Sequence, residues 1–195
     1  MHPVRVLPLL FAAALLGATE PGDPSPKREA ESCSHGHRHA FGGSVQVLAP
    51  LKDLKTALDE RTGLGIGLQW IHEGRGRWAS RTRLEWNVFS ESNPVGPLGI
   101  ETSVKQYLLS FDRLYRLGEG HRSLYLLGGV GAARWFVDQQ ASGTEQGFHT
   151  TKLAITGGAG WRFSHAFGLE ARYVVSGIDR GMDANTAQVS FNWRF

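Results

Sequence analysis

The chain has 195 residues, 25 of them glycine, with 21 Lys and Arg against 18 Asp and Glu for a net charge of +3. A small, dispersed charge and a single cysteine exclude a basic nucleic-acid binder, an intrachain disulfide and a cysteine metal cluster. After Leu16, no stretch is apolar for the roughly eighteen residues that a helical membrane span requires.

In chain order, Arg5 precedes an apolar run from Val6 to Leu16, and the small residues Gly17 and Ala18 follow it. That is the shape of a secretory signal peptide over residues 1–18, the run being too short to cross a membrane. Residues 19–38 carry Pro21, Pro24 and Pro26 among mixed charges and are expected to be a disordered leader. His35, His37 and His39 recur at spacing two, which places three imidazoles on one side of an extended chain. Nothing nearby orients the rings, so a solvated tail is expected and no metal site is assigned.

From His39 to Phe195 the sequence divides into eight extended segments, at residues 40–48, 63–72, 77–89, 102–115, 123–137, 151–163, 167–175 and 187–195. Most reach the nine to eleven or so residues with which a tilted strand crosses a bilayer. After the first segment, Leu51, Leu54 and Leu58 fall at spacings of three and four among Lys52, Asp53, Lys55, Asp59 and Glu60. This predicts a short amphipathic helix, and leucines on an outer loop need cover, so the helix is expected to cap the barrel mouth.

The third segment sets Thr82, Leu84, Trp86 and Val88 against Arg81, Arg83, Glu85 and Asn87. The fourth sets Tyr107, Leu109 and Phe111 against Gln106, Ser110 and Asp112, with Leu108 out of pattern. The fifth is apolar on both faces and its facing is open. The sixth opposes Leu153, Ile155, Ala159, Trp161 and Phe163 to Lys152, Thr156 and Arg162. The seventh opposes Phe167, Leu169, Tyr173 and Val175 to Glu170 and Arg172. In the eighth, Val189, Phe191, Trp193 and Phe195 share one face, and Gln188, Ser190, Asn192 and Arg194 share the other.

Short connections at residues 73–76, 117–121 and 164–166 alternate with long ones at 49–62, 90–101, 138–150 and 176–184. This alternation predicts an all-β, eight-stranded antiparallel up-and-down transmembrane β-barrel with its short turns on the periplasmic side. Phe41, Trp70, Trp78, Tyr115, Tyr125, Trp161, Phe163, Phe167, Trp193 and Phe195 lie beside short turns or the end of the last strand. They predict one interfacial girdle, with Phe89, Trp135 and Phe136 forming a thinner one opposite. A soluble lipocalin-like barrel is the rival, with its polar face outward. Charges of both signs share one face: Arg81, Arg83, Glu85, Asp112, Lys152, Arg162, Glu170, Arg172 and Arg194. They favour a lumen, where such groups pair across a narrow space. An interior of eight strands is filled by its own side chains, so no conducting pore is expected.

In this architecture and in its terminal aromatic strand the chain resembles the small eight-stranded bacterial outer-membrane barrels typified by outer membrane proteins A and X. A Phe on the apolar face at the chain end would be unusual in a soluble domain. The resemblance covers residues 40–195 and rests on no catalytic motif. It implies a barrel domain over residues 39–195 in the bacterial outer membrane, surrounded by outer-membrane lipid, with a structural or surface-interaction role through long outer loops. The expectation is a monomer that is not an enzyme, takes no cofactor and binds no nucleic acid, with its surface ligand unassigned. The resemblance also implies that Phe191, Trp193 and Phe195 form an assembly signal read by the outer-membrane assembly machinery.

An enzymatic alternative is the barrel lipid A deacylase, which uses a His-Ser pair and needs a base within reach of the hydroxyl. The adjacent pair Ser164-His165 lies in a short periplasmic turn, on the wrong side for outer-leaflet lipid. Ser176 has no His close in sequence, and Ser90, Ser92 and His149 fall in outer loops without a motif. Glu85, Asp112 and Glu170 are better explained as partners of the arginines.

Overall fold

The computed structural model describes residues 38–74, 76–90, 101–118, 122–141, 144–178 and 182–195. The expected signal peptide, the leader to residue 37, His35, His37 and Ser92 lie outside the described residues. His39 is described, and its Nδ1 lies 3.2 Å from that of His72.

The described residues form strands β1 (Arg38–Pro50), β2 (Gly63–Glu73), β3 (Trp78–Phe89) and β4 (Glu101–Arg116). They continue as β5 (Ser123–Ala141), β6 (Thr144–Arg162), β7 (Phe167–Ser176) and β8 (Thr186–Arg194), with one helix, α1 (Lys52–Ala57), after β1. Each strand pairs antiparallel with the next, and β1 closes on β8 from Gly42↔Arg194 to Pro50↔Thr186. Closure leaves no sheet edge, which is the condition for strands to cross a bilayer with every backbone group paired.

Facing follows from the two-residue period, and the burial pattern decides its sense. In β7 Phe167, Leu169, Ala171, Tyr173 and Val175 are exposed while Glu170 and Arg172 are buried. Elsewhere Leu153 is 71% exposed and Glu85 1%. Water-soluble folds bury apolar groups and expose charges. The inversion makes the outer face a lipid face and excludes the lipocalin-like arrangement.

The periplasmic girdle is formed by outward rings that touch across strands, among them Phe41 with Trp70, Trp78 with Tyr115, and Phe167 with Phe191. Trp193 lies across β1 at Gly43, where a Cβ would sit 2.4 Å from the indole, so the β1–β8 seam admits no side chain there. In the β2–β3 turn, Gly76 takes φ +74°, which glycine adopts without steric cost.

Four sequence expectations are corrected. Tyr125, assigned to the girdle, points into the lumen and is 5% exposed. Phe89 and Trp135, assigned to the outer girdle, stack on each other inside the barrel, and the outward rings at that height are Trp86, Tyr107 and Phe136. Leu108 is not out of pattern, since it takes the inward position between Gln106 and Ser110 and is fully buried. The long connection at 138–150 is mostly a hairpin, its pairing running to Ala141↔Thr144.

Candidate functional site, a lumen closed at two levels

The inward positions at the middle of the barrel gather three arginines and three carboxylates. Arg81 and Arg83 come from β3, Glu85 from the same strand, Asp112 from β4, and Glu170 and Arg172 from β7. All six are 4% exposed or less. Charge in a narrow low-dielectric space is tolerated when opposite signs balance and each polar atom finds a partner.

Glu170 is the most connected member. It accepts from Arg81 Nη1 at 2.7 Å and Nη2 at 3.0 Å, from Arg83 Nη1 at 2.8 Å and from the Tyr125 hydroxyl at 2.8 Å. Asp112 accepts from Arg81 Nε at 3.1 Å and Nη2 at 2.8 Å, and from Thr156 Oγ1 at 2.7 Å. Glu85 lies 2.8 Å from Arg83 Nε and accepts from Arg172, whose Nε also donates to Gln188 at 3.1 Å.

The layer is extended outward by Gln46, Asn87 and Gln106. Gln46 donates to Asn87 at 2.6 Å, and Asn87 donates to Gln106 at 2.8 Å. These amides, with Tyr125, were missed as members. Asn87 and Gln106 share the inward parity of the charged residues on their own strands, which is the signal that finds them, whereas the two-faced apolar pattern of β5 gives none for Tyr125.

Three expected lumen residues sit away from this cluster. Arg162 and Arg194 lie at the periplasmic end and share Glu73, at 3.6 and 3.2 Å. Lys152 faces inward near the outer end of β6 and is partly exposed. Beside Arg162 and Arg194, between Gln69, Arg81 and Tyr125, the free space is about 10 Å³, at most the room of one water.

Above the charged layer the lumen turns apolar. Leu48, Phe89, Val104, Leu108, Ala133, Trp135, Ala154 and Val174 form one cluster, and Leu54 and Leu58, at 1% and 0% exposure, enter it from α1 and its C-cap. The helix therefore caps the mouth as the leucine spacing predicts. It is clamped to the last outer loop, because Leu54 N donates to Asp183 O and Lys52 Nζ donates to Asp183 Oδ2 at 2.6 Å. The Asp183 carboxylate raises the Lys52 pKa above its usual value. The stabilising charge pair is therefore intact below the ordinary lysine range and lost as pH rises through the raised value.

Two stacked layers of buried side chains, one ionic and one apolar, fill the lumen. Purified protein in planar bilayers is expected to show no stable conductance. Sustained openings of porin size would show that the cap leaves the mouth.

Two of the hydroxyls weighed as nucleophiles are otherwise engaged. Ser176 accepts from Trp135 Nε1 at 3.2 Å and donates to Ala184 O, while Ser164 accepts the amides of Ala166 and Phe167 at 3.2 and 2.9 Å. Neither serine has a base among these partners. His149 lies on the outer face of β6 against Phe136, with ring centroids 6.0 Å apart.

An up-and-down barrel with a lipid-facing apolar belt, aromatic girdles and a plugged polar lumen is a transmembrane barrel of the bacterial outer membrane. The chain belongs to the family described as the outer membrane protein beta-barrel domain, which matches residues 11–195. Among curated proteins, none matches it. Its fold is similar to that of Ail, the attachment invasion locus protein of Yersinia pestis, at TM-score 0.59 and 18% identity over 80% of this chain and 97% of that one. It is also similar to the N-terminal barrel domain of Pseudomonas aeruginosa OprF, at TM-score 0.57 and 13% identity over 82% of this chain and 100% of that one. The outer membrane enzyme PagL shares the fold at TM-score 0.50 and 14% identity over 79% of this chain and 98% of that one. At these identities the likeness concerns the fold.

Proposed function

We propose that the protein is a non-enzymatic surface barrel: a rigid, closed scaffold that offers its outer rim to partners outside the cell. The observation that carries this reading is the state of the lumen. Its three central carboxylates are each within ion-pair distance of guanidinium groups, the arrangement of a structural network and not of a poised general acid or base. What faces outward is the polar side of α1, the last outer loop and the extended β5–β6 hairpin, and binding residues usually sit on loops carried by a rigid frame. A surface role is also in keeping with Ail, which has been crystallised with the heparin analogue sucrose octasulfate. The enzymatic reading rests on the fold shared with PagL.

Mass spectrometry of lipid A from cells expressing the protein separates the two. An unchanged acyl pattern is expected. Gain or loss of one acyl chain, abolished by Ser90→Ala or Ser176→Ala, would establish an enzyme.

The role of the terminal strand belongs to the same proposal. Phe195 is 87% exposed at the periplasmic edge of the lipid face, with its amide donating to Phe41 O at 2.8 Å. Burying one aromatic in lipid contributes about 1.5–3 kcal/mol, a loss that a closed barrel tolerates. Phe195→Ala is expected to lower membrane-inserted yield in cells, through poorer reading by the assembly machinery, while changing refolded stability in detergent modestly. Normal insertion in cells, or failure to refold in detergent, would assign the residue a different role.

A further inference from the structure

On the outward face of β4, β5 and β6, two exposed cations stand at the outer end of the apolar belt. Lys105 lies opposite Phe136, and Arg134 lies opposite Tyr107. The four residues make a checkerboard in which the cations occupy one diagonal. His149 stands opposite Phe136 and Thr151 opposite Arg134 on the next strand. Lys105, Arg134 and His149 are all exposed.

The rings hold the arrangement together. The Arg134 guanidinium carbon sits 5.1 Å from the Phe136 centroid, and Phe136 packs edge-on against Tyr107 at 5.7 Å. Among the described residues, neither Lys105 nor Arg134 meets a carboxylate within ion-pair distance. Asp138, opposite Ser103, is the other diagonal neighbour of Lys105, one step further from the membrane, and it forms no ion pair with that lysine.

Height above the membrane follows from the strand. Lys105 is ten residues along β4 from Tyr115 of the periplasmic girdle. Ten residues rise about 34 Å along a strand, or about 26 Å along the normal at a tilt of about 40°. The apolar band of such barrels is about 25 Å tall, which puts Lys105 and Arg134 at the outer-leaflet headgroup level. Below them the outward residues Leu109, Ala132, Val130 and Leu153 are exposed on the lipid face.

Diagonal positions on neighbouring strands are about 7–8 Å apart, so like charges there repel unless an anion lies between them. A phosphate fills that gap, because each cation then reaches an oxygen at about 2.7–2.9 Å. We infer that Lys105 and Arg134 form a binding site for the phosphate of an outer-leaflet lipid headgroup, with Tyr107 and Phe136 against its sugar or glycerol and the acyl chains along the belt below. The lipid source is preferred to a free anion because the site is continuous with the lipid face and is not on the outer loops.

The test uses the chain refolded in a non-ionic maltoside detergent, its closed barrel verified for every variant by heat-dependent gel mobility. Retention of lipid A carrying two phosphates, read by native mass spectrometry, is expected to exceed that of the dephosphorylated lipid by about tenfold or more. Lys105→Gln with Arg134→Gln is expected to bring lipid A down to the dephosphorylated level. Lys55→Gln, a cation of α1 paired with Glu60 away from the lipid face, is expected to leave retention unchanged. Equal retention of the two lipids, or a double variant that still retains lipid A, would overturn the site. Displacement of lipid A by equimolar inorganic phosphate would make it a free-anion site, and loss of heparin binding alone in the double variant would make it a soluble-polyanion site. Either result rejects the lipid assignment.

Discussion

Replacing Glu170 with Ala is expected to lower the unfolding free energy by about 3–5 kcal/mol, the cost of removing one partner from a buried ion network. The carboxylate receives four donor contacts, from two arginines and Tyr125. Its loss leaves three central arginines facing two carboxylates, with guanidinium groups buried and the Tyr125 hydroxyl deprived of its acceptor. Urea unfolding of the barrel in vesicles, followed by tryptophan fluorescence, measures the change. A loss below about 1 kcal/mol, the range of exposed ion pairs, would mean that the lumen is solvated and the network is not structural. Glu170→Gln separates charge from shape, since the amide retains an acceptor and loses the ion pairs.

Trp135→Ala is expected to cost a comparable amount, about 3–5 kcal/mol, for a different reason. The indole is fully buried, stacks on Phe89 with centroids 6.1 Å apart and donates to Ser176. It fills the apolar plug beneath α1, and neighbouring side chains anchored on strands of a closed barrel cannot collapse into the gap. The same unfolding series reads the stability. Hydrogen exchange at α1 is expected to accelerate, because Leu54 and Leu58 belong to the apolar cluster that contains Trp135. Unchanged stability together with unchanged exchange would place the indole outside the structural plug. Conductance appearing in this variant, but not in Glu170→Ala, would locate the seal in the apolar layer.

The strands were legible because the two-residue period sorts side chains before any tertiary contact forms. Their order followed from the alternation of short and long connections, and the sense of facing followed from charges of both signs on one face. Leu51, Leu54 and Leu58 announced α1, and the mixed charges on one face announced a polar lumen. The errors share a cause. Tyr125 lies in a segment apolar on both faces, where alternation carries no information. Phe89 and Trp135 were read by their place near strand ends, although Phe89 has the parity of Arg81, Arg83 and Glu85.

What the sequence determined by itself was the inward set on the strands that alternate apolar with polar residues, where parity and the charged face assign it. Which inward residues meet was decided by the tertiary structure. Strand stagger and barrel closure bring Glu170 of β7 against Arg81 and Arg83 of β3, partners 89 and 87 positions apart in the chain. The same stagger divides the lumen into an ionic layer and an apolar one. Residues of one parity experience different surroundings at different heights, and height depends on the register of all eight strands together.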